Sequence, residues 1–358
     1  MKFIITAGGQ GTKLWPMSRE KKPKQFQPIV GSTTLFRYQI DTLLKAYKPE
    51  DIFISTKEIY VDLVRKDATE IPEANIIVEP PYKKNRGPGE GYAILKLSVL
   101  HPNEPFMIIQ SDCIRAPEDK FIEMIKAAEE LVKRDRKFIS AGQKAITPDM
   151  GSDYLKLGIK INVESNLDVY SVDEFVYRLG DYNKTKDLIH TYNVSTHCNH
   201  TCWYPDLMLQ AYQKYKPDWY AALMEIKDSF GKPNEKELTD KIYSEMIEGP
   251  TEDVTKYVFK DGYIILTPFN WTDVGTWDSL HSYFANPTEV YSDGKVLNID
   301  TANALVKGSK DKLIATIGLD NIVIVDTEDA LLVCAKDKTG DIKKVLDKIK
   351  EEGLTDLL

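Results

Sequence analysis

Residues 3–26, FIITAGGQGTKLWPMSREKKPKQF, determine how the rest of the chain is interpreted. They begin with the apolar run FII at residues 3–5, which is typical of a buried parallel strand, although periodicity alone does not exclude a helix. Glycines follow at positions 8, 9 and 11, and they lack the Cβ atoms that would keep a backbone from wrapping around a ligand. Consecutive backbone N–H groups in such a loop form a concave surface suited to phosphate oxygens.

Cationic side chains follow the glycines, at Lys13, Arg19, Lys21 or Lys22, and Lys24. A strand, a glycine loop and then fixed positive charge are what binding of a nucleoside triphosphate requires. The loop lacks the spacing of a P-loop, and Leu14 stands where a dinucleotide fingerprint has its third glycine. Taken alone, the glycines also fit an ordinary tight turn.

The longer string AGGQGTKLWPMSREKKPKQF resembles the signature of the sugar-1-phosphate nucleotidylyltransferases, in the form found in mannose-1-phosphate guanylyltransferases. That family usually has AGGxGTRLWPxSR and then PKQF, so Lys13 stands where the family has arginine. The resemblance implies a catalytic role for Lys13, Arg19 and Lys24. It also implies that the nucleotide is bound by residues of the loop, namely Ala7, Gly8, Gly9, Gly11 and Thr12.

The composition excludes several classes of protein. A net charge of −8 argues against a protein that coats nucleic acid. No apolar run approaches the roughly 18 residues that span a membrane. Four cysteines in 358 residues do not make a disulfide scaffold, and the start of the chain does not read as a signal peptide. We therefore expect a cytoplasmic protein without nucleic-acid or membrane partners.

Strand and helix patterns alternate from residue 1 to about residue 142, and they include a helix predicted at residues 91–99. This alternation predicts an α/β fold, Rossmann-like, with a mixed, mainly parallel sheet and helices on both faces. Ligands of such sheets lie beyond the carboxyl ends of the strands, where the glycine loop falls. At residues 154–161 a strict apolar alternation predicts a half-exposed strand of a mixed or antiparallel insertion.

The composition shifts near Asn286 and Pro287, after which short β-rich segments follow one another. These segments predict either a meander or a few coils of a β-helix. Residues 312–338 resemble the small C-terminal domain of the same guanylyltransferase family, which implies a short left-handed β-helix. We predict a catalytic domain at residues 1–286 and a β-helix-like domain with a terminal helix at residues 287–358.

Two aspartates are the candidate metal ligands. Asp112 follows the apolar strand at residues 106–109, and Asp273 lies in a DVGTW string that resembles the family motif DVGSW. Mg²⁺ prefers one or two carboxylates together with phosphate oxygens and water, so both residues fit a Mg²⁺ cofactor. The alternatives are a turn role for Asp112 and a helix-capping role for Thr272 or Asp273.

Other candidate residues come from weaker matches. After Glu79-Pro80 the family usually has RNTAPA, which reads guanine; here Asn85 and Pro88 match, and Arg86 replaces the usual threonine. Ser111 matches the residue before the metal-binding aspartate. The substrate side is less similar, and the resemblance implies sugar-phosphate contacts from Asp153, Tyr154, Tyr177, Arg178 and Asn193. In the family a sugar-binding glutamate stands at the position of Tyr177, and a phosphate-binding lysine stands at that of Arg178.

Cysteine and histidine residues offer two further interpretations. His197, Cys198, His200 and Cys202 invite a zinc site, but they crowd one strand, predicted at residues 193–203, whose alternate residues point to opposite faces. Cys113 reads either as a reactive thiol or as a small buried apolar residue.

The resemblance implies a reaction of GTP with mannose 1-phosphate that gives GDP-mannose and pyrophosphate, catalysed by a homodimer. One alternative is the same reaction on another manno-configured sugar 1-phosphate, such as a heptose. The other is a non-catalytic, regulatory protein that binds a GDP-sugar. Substitutions on the sugar side motivate the first alternative, whereas Lys13 and the changed guanine loop motivate the second.

Overall fold

The computed structural model describes residues 1–309 and 311–358, which form two compact units. Unit 1 comprises Met1–Gly8, Gln39–Gln110 and Arg115–Trp271. Unit 2 comprises Gly9–Tyr38, Ser111–Ile114 and Thr272–Leu358. Most of the glycine loop therefore shares a unit with the C-terminal strands.

The strands are, in chain order, β1 Lys2–Thr6, β2 Ile52–Lys57, β3 Ile76–Glu79, β4 Phe106–Gln110, β5 Cys113–Ala116, β6 Ile139–Gly142, β7 Tyr154–Lys160, β8 Val169–Val176, β9 Val194–Thr196, β10 Thr201–Trp203, β11 Tyr263–Leu266, β12 Asn270–Asp273, β13 Val290–Asp293, β14 Lys295–Ile299, β15 Ala302–Lys307, β16 Leu313–Ile317, β17 Asp320–Asp326 and β18 Leu331–Ala335. The α-helices are α1 Leu35–Leu44, α2 Val61–Asp67, α3 Arg86–Leu100, α4 Glu118–Asp135, α5 Tyr182–Thr191, α6 Pro205–Tyr215, α7 Pro217–Ser229, α8 Glu235–Glu245, α9 Glu252–Val258, α10 Trp277–Phe284 and α11 Ile342–Glu351.

Unit 1 is built on a sheet with the order β3-β2-β1-β4-β10-β6-β11-β8-β7-β9. Strand β1 pairs in parallel with β2 and β4, and its residues 3–5 are fully buried. A strand covered on both faces reads as a continuous apolar run, which confirms the strand interpretation over the helix. Strand β10 runs antiparallel between β4 and β6, so the predicted mixed, mainly parallel sheet is confirmed.

Two elements of unit 1 differ from the sequence-based prediction. Helix α3 begins at Arg86, well before the predicted start at residue 91, and the Asn85 side chain caps it by accepting from the Arg86 N–H at 2.8 Å. Glycines in its first turns hid this start. The strand predicted at residues 193–203 is instead two strands, β9 and β10, separated by Asn199 at φ 50°.

Unit 2 contains a sheet with the order β13-β15-β17-β18 and a separate pair, β14-β16. Strands β15 and β17 pair in parallel with Leu305 opposite Val323, and β14 and β16 pair in parallel with Leu297 opposite Ala315. Parallel pairing of successive segments excludes a meander and confirms the β-helix-like prediction. Strand β18 closes the larger sheet in the antiparallel direction.

The core of unit 2 joins the opening stretch to the C-terminal segments. Leu14 and Trp15 belong to one buried cluster with Trp277, Val323 and Leu346. The indole of Trp277 donates to the Trp15 carbonyl at 3.0 Å. Within residues 1–309 and 311–358, none of the helices has the length and apolar character needed to cross a membrane.

Candidate active site

The Lys24 side chain is held in a buried position by its local backbone. Lys24–Phe26 forms a single 3₁₀ turn after Pro23, and all three residues are buried. The Gln25 amide donates to the Gly9 carbonyl at 2.8 Å, which ties this turn to the glycine loop. The Phe26 ring lies 5.1 Å from the ring of Phe36.

Gly11 provides the space through which Lys24 passes. Its φ is +59°, in the left-handed region that favours glycine. A Cβ atom at this position would lie 2.5 Å from Lys24 Cγ, too close for any real contact. A Cβ on Gly9 would meet no atom within 4 Å, so the two glycines serve different purposes.

The ammonium group of Lys24 joins the two predicted metal ligands. Its Nζ lies 2.9 Å from Asp112 Oδ2 and 3.6 Å from Asp273 Oδ1. It also donates to the Val274 carbonyl at 2.9 Å. Unit 2 therefore brings together residues from all three of its chain segments.

The loops that carry the two aspartates are themselves fixed. The Val274 N–H donates to the Asp112 carbonyl at 3.2 Å. Gly275 leaves room for the Asp273 carboxylate, because a Cβ there would lie 3.1 Å from Oδ2. Thr276 and Ser279 form a reciprocal capping box at the start of α10, so the capping role considered for Thr272 or Asp273 is wrong.

Charge and burial oppose each other in this cluster. Burial disfavours the charged ammonium of Lys24, but the negative charges of Asp112 and then Asp273 outweigh it, so the pKa of Lys24 is raised. Burial raises the pKa of Asp273, whereas the Lys24 charge opposes that shift. The Asp273 side chain is nevertheless 55% exposed, so its carboxylate can reach a ligand.

The donor atoms fit a divalent cation. One atom each from Asp112, Cys113 and Asp273 lie within 4.8 Å of one another in the described chain. Lys24 Nζ acts as a stand-in cation, because it already contacts both carboxylates. Two carboxylates leave room for the phosphate oxygens and water that complete a Mg²⁺ shell, so the residues match the predicted cofactor.

Three other predicted site residues, Lys13, Ser111 and Arg19, belong to unit 2. Lys13 is exposed within the 3₁₀ turn Thr12–Leu14, and its charge favours the ionised form of Asp273. Ser111 is buried directly before Asp112. Arg19 instead donates to Asp329 at 2.7 Å and to the Pro16 carbonyl at 2.7 Å, so the structure does not place it among the Lys24 contacts.

In unit 1, Gly8 lies beside the carboxylate of Glu79. A Cβ on Gly8 would lie 3.2 Å from Glu79 Oε1, and one on Gly89 would lie 3.1 Å from Oε2. Ser55 donates to Oε1 at 2.8 Å, and its carbonyl accepts from the Ala7 N–H. Burial raises the pKa of Glu79, and the Ser55 hydrogen bond opposes that shift.

The predicted guanine-reading segment forms the start of α3. Asn85 caps the helix, and Pro88 is buried in its first turn. Arg86, which replaces the family threonine, donates to Glu90 at 2.8 Å and lies 3.6 Å from Glu252. Two carboxylates therefore neutralise the added charge.

The predicted sugar-side residues fall into separate groups within unit 1. Asp153 Oδ1 accepts from the backbone N–H of Arg178 at 2.9 Å, and the Arg178 guanidinium stacks near the exposed Tyr177 ring. Tyr154 is fully buried, and its hydroxyl donates to the Asp149 carbonyl at 2.8 Å. The exposed Asn193 accepts from Lys144 instead.

Two family models match the chain. Residues 2–146 match the nucleotidyl transferase family, and residues 294–349 match the mannose-phosphate isomerase/GMP-like β-helix domain. Residues 2–146 therefore resemble the nucleotidyl transferase family. Both matched segments fall where the resemblance predicted a catalytic region and a β-helix.

Curated relatives match nearly the whole length of this chain. A mannose-1-phosphate guanylyltransferase from Escherichia coli is 27% identical over 98% of this chain and 76% of its own. The alginate biosynthesis protein AlgA from Pseudomonas syringae pv. tomato is 24% identical over 99% of this chain and 72% of its own. These relatives confirm the resemblance to the guanylyltransferase family and the prediction of a sugar-1-phosphate nucleotidylyltransferase.

Solved structures support the fold. A crystal structure described as mannose-1-phosphate geranyltransferase, from Thermus thermophilus, covers 98% of this chain with a TM-score of 0.84 at 20% identity. That structure is itself covered to 99%. At this identity the likeness concerns the fold alone.

The sequence patterns indicated no role for Glu79 or for the Val274 carbonyl. Glu79 ends β3, and only the order β3-β2-β1 reveals that it lies beside Gly8. The available signal was the charged residue directly after an apolar strand. A backbone carbonyl such as that of Val274 has no signal in the side-chain pattern.

Proposed function

We propose that this protein is a nucleotidyl transferase that joins GTP and mannose 1-phosphate to give GDP-mannose and pyrophosphate. A phosphate oxygen of the sugar 1-phosphate attacks the α-phosphorus of GTP, and the bond to the bridging α–β oxygen breaks as pyrophosphate leaves. The observation that supports the proposal is the contact of one buried ammonium, on Lys24, with both Asp112 and Asp273. Such a centre combines fixed positive charge with carboxylates for a cation, as transfer between two anions requires.

Each residue of this centre has a distinct proposed task. Asp112 and Asp273 would hold Mg²⁺, which supplies charge stabilisation at the phosphate oxygens. Lys24 neutralises phosphate charge and aligns the reacting group, while exposed Lys13 neutralises the departing pyrophosphate. The backbone N–H groups of Gly9, Gly11 and Thr12 bind phosphate oxygens, and Ser111 positions Asp112. Arg19 is proposed to act earlier, as a charge that attracts the anionic substrates.

The guanine preference rests on residues of unit 1. Guanine presents two adjacent donors, N1–H and the N2 amino group, and a carboxylate accepts both. Glu79 supplies such a carboxylate next to Gly8 and Gly89, which have no side chains. Asn85 and Pro88 shape this region through the start of α3.

A second candidate keeps the reaction but changes the sugar. Arg178 carries a fixed charge on a half-exposed side chain next to the exposed Tyr177 ring, where the family has lysine and glutamate. Loss of the glutamate carboxylate removes an acceptor for sugar hydroxyls, which favours another manno-configured sugar 1-phosphate, such as a heptose. Asp153, Tyr154 and Asn193 belong to the same proposed side.

The deciding experiment measures pyrophosphate release with each pairing of a nucleoside triphosphate and a sugar 1-phosphate, with and without Mg²⁺. We expect the highest kcat/KM with GTP and mannose 1-phosphate, and a loss of turnover in Asp112→Asn and Asp273→Asn. Asp329→Asn serves as a matched control, because its carboxylate contacts Arg19 instead. A higher kcat/KM with a heptose 1-phosphate favours the second candidate, and no turnover with any pair contradicts both.

We also propose a homodimer in the cytoplasm. Leu297, Ile299, Leu313 and Ile317 expose more than half of their side-chain surface on the paired strands β14 and β16. A second copy would cover this apolar surface through a two-fold contact. In the described chain none of the four cysteines forms a disulfide, which is consistent with a reducing compartment. Sedimentation of the purified chain tests the dimer.

A further inference from the structure

A sulfur atom lies beside the two carboxylates of the metal cluster. Cys113 directly follows Asp112, and its Sγ lies 3.7 Å from Asp112 Oδ1. This sulfur and one oxygen from each of Asp112 and Asp273 lie within 4.8 Å of one another. The side chain of Cys113 is buried, at 2% exposure, and is not part of a disulfide.

The cluster offers two oxygen ligands and one sulfur ligand, and Mg²⁺ binds only the oxygens. Mg²⁺ binds oxygen ligands and keeps much of its water. Co²⁺ and Zn²⁺ accept carboxylate oxygen and also bind thiolate sulfur, which is the softer ligand. The same three side chains therefore offer such an ion one more protein ligand than they offer Mg²⁺.

The cluster is already arranged around positive charge. Lys24 Nζ contacts both carboxylates, at 2.9 and 3.6 Å, so their oxygens converge without any ion. A divalent ion at these oxygens would take over contacts that the ammonium makes. Cys113 Sγ could in addition form a coordinate bond to the ion, which it cannot form to an ammonium group.

We propose that Cys113 is a third protein ligand in this centre and makes it selective for thiophilic divalent cations such as Co²⁺ and Zn²⁺ over Mg²⁺. This inference rests on the metal site of the proposed function and deepens it. On binding, a bond forms between Sγ and the ion, and the Sγ–H proton passes to solvent. Zn²⁺ therefore competes with Mg²⁺ for the same two carboxylates.

The test is a Co²⁺ titration of the full chain without nucleotide or sugar. Thiolate bound to Co²⁺ gives a charge-transfer absorption band in the near ultraviolet. We expect the unmodified chain and Cys334→Ser to show this band, saturating at one ion per chain. Cys334 is a matched control because it lies on β18, outside the metal cluster. In Cys113→Ser the band disappears, and calorimetry shows Co²⁺ binding weakened by at least roughly tenfold.

Two further variants separate the loss of the sulfur ligand from the loss of an oxygen ligand and from misfolding. Asp273→Asn, which retains the sulfur, should bind Co²⁺ more weakly but keep the charge-transfer band at high Co²⁺. If Cys113→Ser does not give a cooperative thermal transition, Cys113→Ala replaces it. The inference is overturned if the band persists without Cys113 or is absent from the unmodified chain. It is also overturned if the unmodified chain and the Cys113 variant bind Co²⁺ with equal affinity.

The role of Cys113 and the proposed function can be refuted independently of each other. Turnover with Mg²⁺ but no Co²⁺–thiolate band overturns only the role of Cys113. A band that depends on Cys113, in a chain without turnover on any substrate pair, overturns only the proposed function.

Discussion

Gly11 lacks a side chain where the alkyl chain of Lys24 passes, and a Cβ at Gly11 would lie 2.5 Å from Lys24 Cγ. The glycine loop thus does more than present backbone N–H groups to a ligand. It also allows a lysine side chain from the following turn to reach two carboxylates. The position of the ammonium depends on the absence of one methyl group.

Gly11→Ala is expected to displace Lys24 and reduce kcat/KM by about tenfold or more, corresponding to at least ~1.4 kcal/mol of lost transition-state stabilisation. The left-handed backbone at φ +59° adds a strain of roughly 1–2 kcal/mol to the folded state. Steady-state pyrophosphate release and thermal unfolding measure the two effects. Gly9→Ala is the control, because its Cβ meets nothing within 4 Å. Equal losses in the two variants would contradict the steric argument.

Lys24→Met is expected to abolish most turnover and yet tighten the binding of a divalent cation. The ammonium contacts both Asp112 and Asp273, so it competes with any ion at those oxygens. We expect an affinity gain of about tenfold, or ~1.4 kcal/mol, measured by calorimetry with Mn²⁺. Lys21→Met, an exposed lysine in the same stretch, should change neither property. Weaker ion binding in Lys24→Met would show that the lysine supports the centre and does not compete within it.

Glu79→Gln is expected to reduce the preference for GTP. A carboxylate accepts two hydrogen bonds from guanine, whereas an amide accepts on one side only and donates on the other. Loss of one hydrogen bond to a charged group corresponds to roughly 1.5–3 kcal/mol, or about ten- to hundredfold in the ratio of kcat/KM values for GTP and UTP. The exposed Glu58→Gln is the control. An unchanged ratio would remove Glu79 from base recognition.

Acid is expected to destabilise the fold through two histidines, the half-buried His197 and the buried His200. Burial lowers the pKa of His197 to about 3 and the pKa of His200 well below its usual value. Arg115 Nε donates to His200 Nε2 at 2.9 Å, which requires an unprotonated nitrogen there. The unfolded chain binds these protons near pH 6.5 and the folded chain does not, so stability is complete above that pH and falls as pH decreases toward 3.

Each histidine should contribute a slope of ~1.4 kcal/mol per pH unit between about pH 6 and pH 4. Urea unfolding of the unmodified chain at pH 7, 6 and 5 measures this slope. His197→Gln should flatten it, and the exposed His190→Gln should leave it unchanged. A parallel loss of stability in all three proteins would assign the acid effect to other groups.

Features of the fold that depend on local interactions could be predicted from the sequence, whereas those that depend on distant parts of the chain could not. The burial of residues 3–5 and the amphipathic pattern of α11 are local, and both were predicted correctly. The start of α3 was missed because a glycine-rich first turn has a weak helical signal, even though Asn85 is a good cap. The environment of Glu79 depends on which strands are neighbours, a non-local property that no short pattern contains.

Arg19 illustrates the same limit among the predicted site residues. Its motif match predicted contact with phosphate, but its guanidinium donates to Asp329, far away in the chain. The catalytic roles of Arg19, Lys13 and Lys24 stay predictions, whereas the meeting of Lys24 with Asp112 and Asp273 is a feature of the fold.

The core of unit 2 has a consequence for the newly made protein. Leu14 and Trp15 are synthesised long before their packing partners Trp277, Val323 and Leu346. Until then the indole of Trp15 lacks the apolar surroundings that will enclose it. A nascent chain paused before residue 272 therefore displays an unburied tryptophan to chaperones and proteases, and the contacts of Lys24 with Asp273 and Val274 form only after those two residues are made.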